Sequence, residues 1–119
     1  MKAQISNDNG RVIIDSDVIA KYAGLTAVEC MGVVGMAMVS VKDGLTKLLK
    51  RESITKGVSI RIASEGEIEI DFHIITVYGI NISTIADNLM HTVKYKVEEF
   101  TGLKVSRINV FVEGVRIID

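Results

Sequence analysis

Cysteine occurs once in this chain, at Cys30, which excludes an internal disulfide and any cysteine cluster able to hold zinc or iron–sulfur. Proline is absent, so glycine is left as the main punctuation between elements. Tryptophan is absent too, and aromatic residues reach only 5%, so a core must be built from Ile, Val and Leu. The net charge of -1 offers no basic excess to neutralise phosphates, which counts against a general nucleic-acid binder. No apolar run approaches the roughly 18 residues of a membrane span. The start of the chain, Met1-Lys2-Ala3-Gln4-Ile5-Ser6-Asn7-Asp8, has neither an apolar core segment nor a small-residue cleavage pattern. Export by a signal peptide is therefore not expected, and the cytosol is the expected compartment.

What is present is a globular balance, with 48% hydrophobic and 24% charged residues in 119. That length suits one domain over 1–119, able to bury roughly two thirds of its unfolded surface. Residues Arg11 to Ile14 read as a short strand, after which Asp15, Ser16 and Asp17 offer capping oxygens to a helix carrying Val18, Ile19, Tyr22, Ala23 and Thr26, with Gly32 as its stop. Met36 to Val41 reads as a strand, and Asp43 to Glu52 has helical spacing, with Leu45, Leu48 and Leu49 on one side. Val58, Ile60 and Ile62 alternate with polar or small residues, and beyond the turn at Glu65-Gly66 a longer strand sends Ile68, Ile70, Phe72 and Ile74 to one face. Asn81 can cap a helix striped by Ile82, Ile85, Ala86, Leu89, Val93, Val97 and Phe100 that ends at Gly102. Ile108, Val110 and Val112 mark a last strand. The order predicts an α+β, two-layer sandwich, with a mostly antiparallel sheet packed against amphipathic helices.

Chemistry is harder to find. No paired nucleophile and base, metal-ligand spacing or phosphate loop can be read from the residues. His73 and His91 fall on different elements without helical i, i+4 spacing, so no metal site is expected. Glu67, Glu69 and Asp71 alternate on one strand face and read as solvated. Cys30 has no nearby His in sequence and reads as a small buried side chain. Gly32-Val-Val-Gly35 formally matches the GxxG of KH domains, but Val33 and Val34 offer no phosphate partner, so a tight turn is expected there.

Two candidate surfaces remain. The face carrying Glu67, Glu69, Asp71 and His73 ends in Ile75 and Val77, and Phe111 on the last strand joins this apolar end. It is either covered by the segment from Asp43 to Glu52 or the N-terminal strand, or it is an interface, which would make the protein a homo-oligomer. The second candidate is the basic stretch from Lys42 to Lys56, where Lys47, Lys50 and Arg51 accompany Leu45, Leu48 and Leu49. A helix of that kind suits an anionic partner or lipid surface, or is a solvated helix docked on the core.

Four segments carry a family resemblance: GRVIIDSDVIA from Gly10, VECMGVVGM from Val28, IEIDFHIITVYG from Ile68 and VEEFTGLKVSRINVFVEGV from Val97. Together they resemble the alkaline shock protein family, also called the Gls-type envelope stress response family, from about Gly10 to Ile117. The segment KDGLTKLLKRE from Lys42 resembles the compact members in particular, and the polar, charged tails of the longer relatives are missing. The resemblance implies a cytosolic bacterial protein of cell-envelope homeostasis, with no established enzymatic activity, no cofactor and no catalytic residues to carry over. It also implies a protein partner, since better-known relatives sit near the membrane through a separate anchor protein and self-assemble. A non-enzymatic scaffold or adaptor is the reading that follows. An iron–sulfur assembly domain of similar layout and a small KH-like nucleic-acid-binding module are the alternatives.

Overall fold

The computed structural model describes residues 2–40, 45–49 and 51–118. Strands β1 (Lys2–Asn7) and β2 (Gly10–Asp15) pair as an antiparallel hairpin that forms its own small sheet. Helix α1 (Ser16–Val28) follows, then β3 (Val33–Ser40), β4 (Leu45–Leu48), a 3-10 helix (Arg51–Gly57), β5 (Val58–Ser64) and β6 (Glu67–Val77). Helix α2 (Ile82–Thr101) and β7 (Lys104–Arg116) complete the described chain.

The eleven residues of β6 organise a five-stranded sheet. On one edge β5 pairs antiparallel along Glu67 to Phe72 and β3 takes over along Ile74 to Thr76, while β4 extends the sheet beyond β3. On the other edge β7 runs parallel to β6 from Glu67 to Val77. The parallel pairing follows from α2, which crosses back over the sheet between the two strands as parallel neighbours require. The result is an α+β fold whose pairings are antiparallel except at β7.

Both helices bury their apolar sides on one face of this sheet. Ile68, Ile70, Phe72 and Ile74 alternate toward them and are fully buried with Ile85, Leu89, Val93 and Val97 of α2. The Asp15 carboxylate caps α1 by accepting from the Asp17 N–H at 3.0 Å, and Asn81 caps α2 by accepting from the Thr84 N–H at 3.0 Å. Gly102 ends α2 in the left-handed conformation at φ 77°, where a side chain would be strained. Small residues let α1 sit close to its neighbours: a β-carbon on Gly24 would already stand 3.3 Å from Ile54 and Val58. Gly66 ties three elements together, donating to the Gln4 carbonyl and accepting from the Lys104 N–H.

Three sequence expectations change. The helix expected from Asp43 to Glu52 is instead β4, hydrogen-bonded to β3, followed by the 3-10 helix from Arg51. Val41–Gly44 and Lys50 lie outside the described residues. Apolar residues at helical spacing also suit a short strand when β3 offers a free edge, and tertiary pairing then decides. The β1 strand was not foreseen beside Arg11 to Ile14, although Asp8-Asn9, the two residues that turn the chain between Asn7 and Gly10, are both turn formers. The ends of the α2 stripe leave the core: Ile82 is exposed, and Phe100 is exposed but stacks on Tyr22 of α1 with centroids 4.2 Å apart.

Candidate functional site

The sheet face turned away from the helices carries the polar residues of β6, and β5 and β7 supply their partners. Arg61 on β5 stands opposite Glu69 in the hairpin register and reaches diagonally to Asp71, pairing with Glu69 at 2.9 Å and with Asp71. Asn109 on β7 stands opposite Asp71 and donates to its other carboxylate oxygen at 2.9 Å. Partial burial by itself would raise the Asp71 pKa, but the hydrogen bonds from Arg61 and Asn109 and the Arg61 charge outweigh it and hold the carboxyl below its ordinary value.

Further along β6, His73 and Phe111 face each other across the parallel pair, their rings stacked with centroids 4.8 Å apart. The His73 Nδ1 also lies 2.8 Å from a carboxylate oxygen of Glu113. Glu113 is the extra residue of a β-bulge: Val112 pairs with Ile74 and Gly114 with Ile75, leaving Glu113 unpaired and free to aim at His73. Asp71 and His73 are thus already engaged by neighbouring side chains.

The eight candidate surface residues divide. Ile75 is 3% exposed and lies between Gly35 on β3 and Gly114 on β7, so it is a packed residue. Val77 is half-buried, and Phe111, at 45% exposure, is the candidate that faces solvent most openly among those whose side chains are described. Leu48 is half-buried and lies over Gly35, where a β-carbon would stand 2.8 Å from its Cδ1. Leu45 and Lys47 contribute backbone to β4, Arg51 opens the 3-10 helix, and Lys50 lies outside the described residues. The basic stretch is therefore no single amphipathic helix. Arg61, Asn109 and Glu113 are the partners that sequence reasoning missed. Arg61 was within reach as to face, because alternation sets it apart from Ile60 and Ile62, but the turn at Glu65-Gly66 alone would put it opposite Ile70, and a bulge at Ala63 brings it opposite Glu69. The β7 residues were not within reach, because a crossover helix sets no register.

Elsewhere, a cleft of about 230 Å³ opens between the end of α1 and α2, lined in part by Glu29, Cys30, Thr92 and Lys96. Cys30 is buried there and its Sγ lies 3.5 Å from the Thr26 carbonyl oxygen. Burial pushes its thiol pKa up, against the smaller opposing effects of Thr92 and Lys96. His91 is exposed on α2, away from His73 on β6, and among the described residues no three ligating side chains gather as for a metal ion. In the GxxG segment, Gly32 turns at φ 81° and Val33 is already a buried residue of β3, so the segment is a strand entry and not a backbone-clamping loop. No described helix is long and apolar enough to cross a membrane.

Comparison with known proteins places this architecture. An uncharacterised Bacillus subtilis protein, YloU, is 44% identical over 119 residues, covering 98% of each chain. An uncharacterised Streptococcus pyogenes serotype M6 protein, Spy1614, is 34% identical over 99% of this chain and 98% of its own. A Streptococcus pyogenes serotype M3 protein named as a stress response regulator gls24 homolog is 28% identical over 90% of this chain, which spans only 59% of that longer protein. No solved structure matches. Residues 4–117 fit the pattern of a family described as having a cell envelope-related function, and the chain belongs to that family, the alkaline shock protein 23 family.

Proposed function

We propose that this protein is a non-enzymatic adaptor of the envelope stress response, acting through protein contacts on the open sheet face and through self-association. The observation that carries the reading is Phe111: a large aromatic ring on a sheet face, 45% exposed and held in place by its stack on His73. Rigid aromatic side chains presented on a surface are what protein interfaces favour. Around it, Asp71 and His73 are occupied by Arg61, Asn109 and Glu113, which suits a fixed recognition surface better than acid–base turnover. The envelope-related description of the family and the stress-regulator name of a longer relative support the cellular setting. In this reading a membrane-anchored partner protein brings the adaptor to the envelope from the cytosol.

The test is genetic and structural together. A deletion strain is challenged with alkaline shift and with cell-wall antibiotics, then complemented with the wild type or with Phe111→Asp at equal abundance. Sensitisation by the deletion, restored by the wild type and not by a folded Phe111→Asp, is the expected result. A deletion strain as resistant as its parent would sink the envelope role, and full restoration by Phe111→Asp would remove the Phe111 face from it.

A further inference from the structure

The thirteen residues of β7 pair with β6 along one edge only, and no described strand pairs with the other edge. An uncovered edge strand offers alternate N–H and C=O groups to any extended chain that can match it. The other edges are shorter, seven residues in β5 and four in β4. β7 also carries no proline to block pairing.

We propose that the occupant of this edge is the β7 strand of a second copy of the same chain, running antiparallel about a two-fold axis at Val110. The register follows from backbone geometry and charge. Residues along β7 turn their backbone groups alternately toward β6 and outward, so a symmetric antiparallel partner must bring residues of the same parity face to face. With Val110 opposite itself, Arg107 of each copy stands opposite Glu113 of the other. Shifting by one allowed step instead places Arg107 opposite Phe111 or Val115 and separates the charges. Arg107 is exposed and has no salt-bridge partner among the described residues. Glu113 lies on the same face, where it already touches His73. The bulges at Ser106 and Glu113 bound the paired segment, leaving Lys104 and Arg116 outside it. Seven residues from each copy give about six main-chain hydrogen bonds and two cross-strand ion pairs, and they join two five-stranded sheets into one. This assignment rests on the self-association in the proposed function, and it brings the two Phe111 faces onto one continuous surface.

A charge exchange tests it on the full chain by light scattering across a wide concentration range. The wild type is expected at twice its 13.0 kDa mass at high concentration. Arg107→Glu alone and Glu113→Arg alone place like charges opposite one another and are expected as monomers. Mixed one to one, the variants regain opposite charges at both positions, and the doubled mass returns. A wild type that stays monomeric, single variants that dimerise as well as the wild type, or a mixture that stays monomeric each overturn the proposal. Amide hydrogen exchange of the wild type needs no variant to fold: outward-facing amides between Arg107 and Val112 lose protection on dilution if the edge is paired, and protection independent of concentration counts against it. The envelope role is decided by the deletion strain and this edge by the mass, so either can fail alone.

Discussion

Gly57 packs against Met36 so closely that a β-carbon at position 57 would stand 2.8 Å from the Met36 Cβ and 2.9 Å from the Ala37 carbonyl oxygen. This is where the 3-10 helix passes beneath β3 before β5 begins, the crossing that allows β3 and β5 to share one edge of β6. Both obstacles are fixed to the backbone and no rotamer change relieves them. Gly57→Ala is expected to cost about 1–3 kcal/mol, the usual penalty of overpacking. A thermal melt at neutral pH reads it, and an unchanged midpoint would show that the crossing has slack.

That crossing also marks where the sequence stops being legible. β5, β6 and α2 follow from local signals, because alternation, the Glu65-Gly66 turn, the Asn81 cap and the Gly102 stop each act within a few residues. The segment from Leu45 to Gly57 does not, since its leucines satisfy helical spacing and only the edge of β3 makes a strand of them. The same division runs through the candidate surface. The faces of β6 could be written down from alternation, whereas the burial of Ile75 depends on Gly35 and Gly114 arriving from distant parts of the chain.

Ile75 and Phe111 therefore answer differently to the same substitution. Ile75→Asp places a carboxylate in a packed site with no cation beside it in the ladder, and it is expected to unfold the protein or cost more than about 3 kcal/mol. Phe111→Asp removes the stack on His73, worth about 0.5–1.5 kcal/mol, from a side chain already half in water. Urea titrations of the two variants should separate them clearly. Equal losses would mean that Phe111 is core and that the open face is closed by something else.

Cys30 is expected to be a slow thiol. Burial raises its pKa, so the reactive thiolate is scarce at neutral pH, and the side chain is hidden at the end of α1. Labelling with a thiol-reactive disulfide should run at least about tenfold slower on the folded protein than on the same protein in denaturant. Equal rates would show that the cleft opens freely and exposes the sulfur.

Asp71 sets the acid behaviour of the open face. Its pKa in the folded state lies below the ordinary carboxylate value, so the folded form holds its negative charge more firmly than the unfolded chain does. The stabilisation this provides is fully present above the unfolded pKa of about 3.9 and is lost as the pH falls through the lower folded value, because the unfolded state then takes up the proton first. Asp71→Asn removes the titrating group but keeps an oxygen able to accept from Arg61. The variant is expected to be slightly less stable than the wild type at neutral pH and to lose less of its stability on acidification. Denaturant melts at pH 7 and at several points below pH 5 measure both. A variant whose stability falls as steeply with acid as the wild type would show that other carboxylates govern acid unfolding and that the Arg61–Asp71–Asn109 cluster contributes little to it.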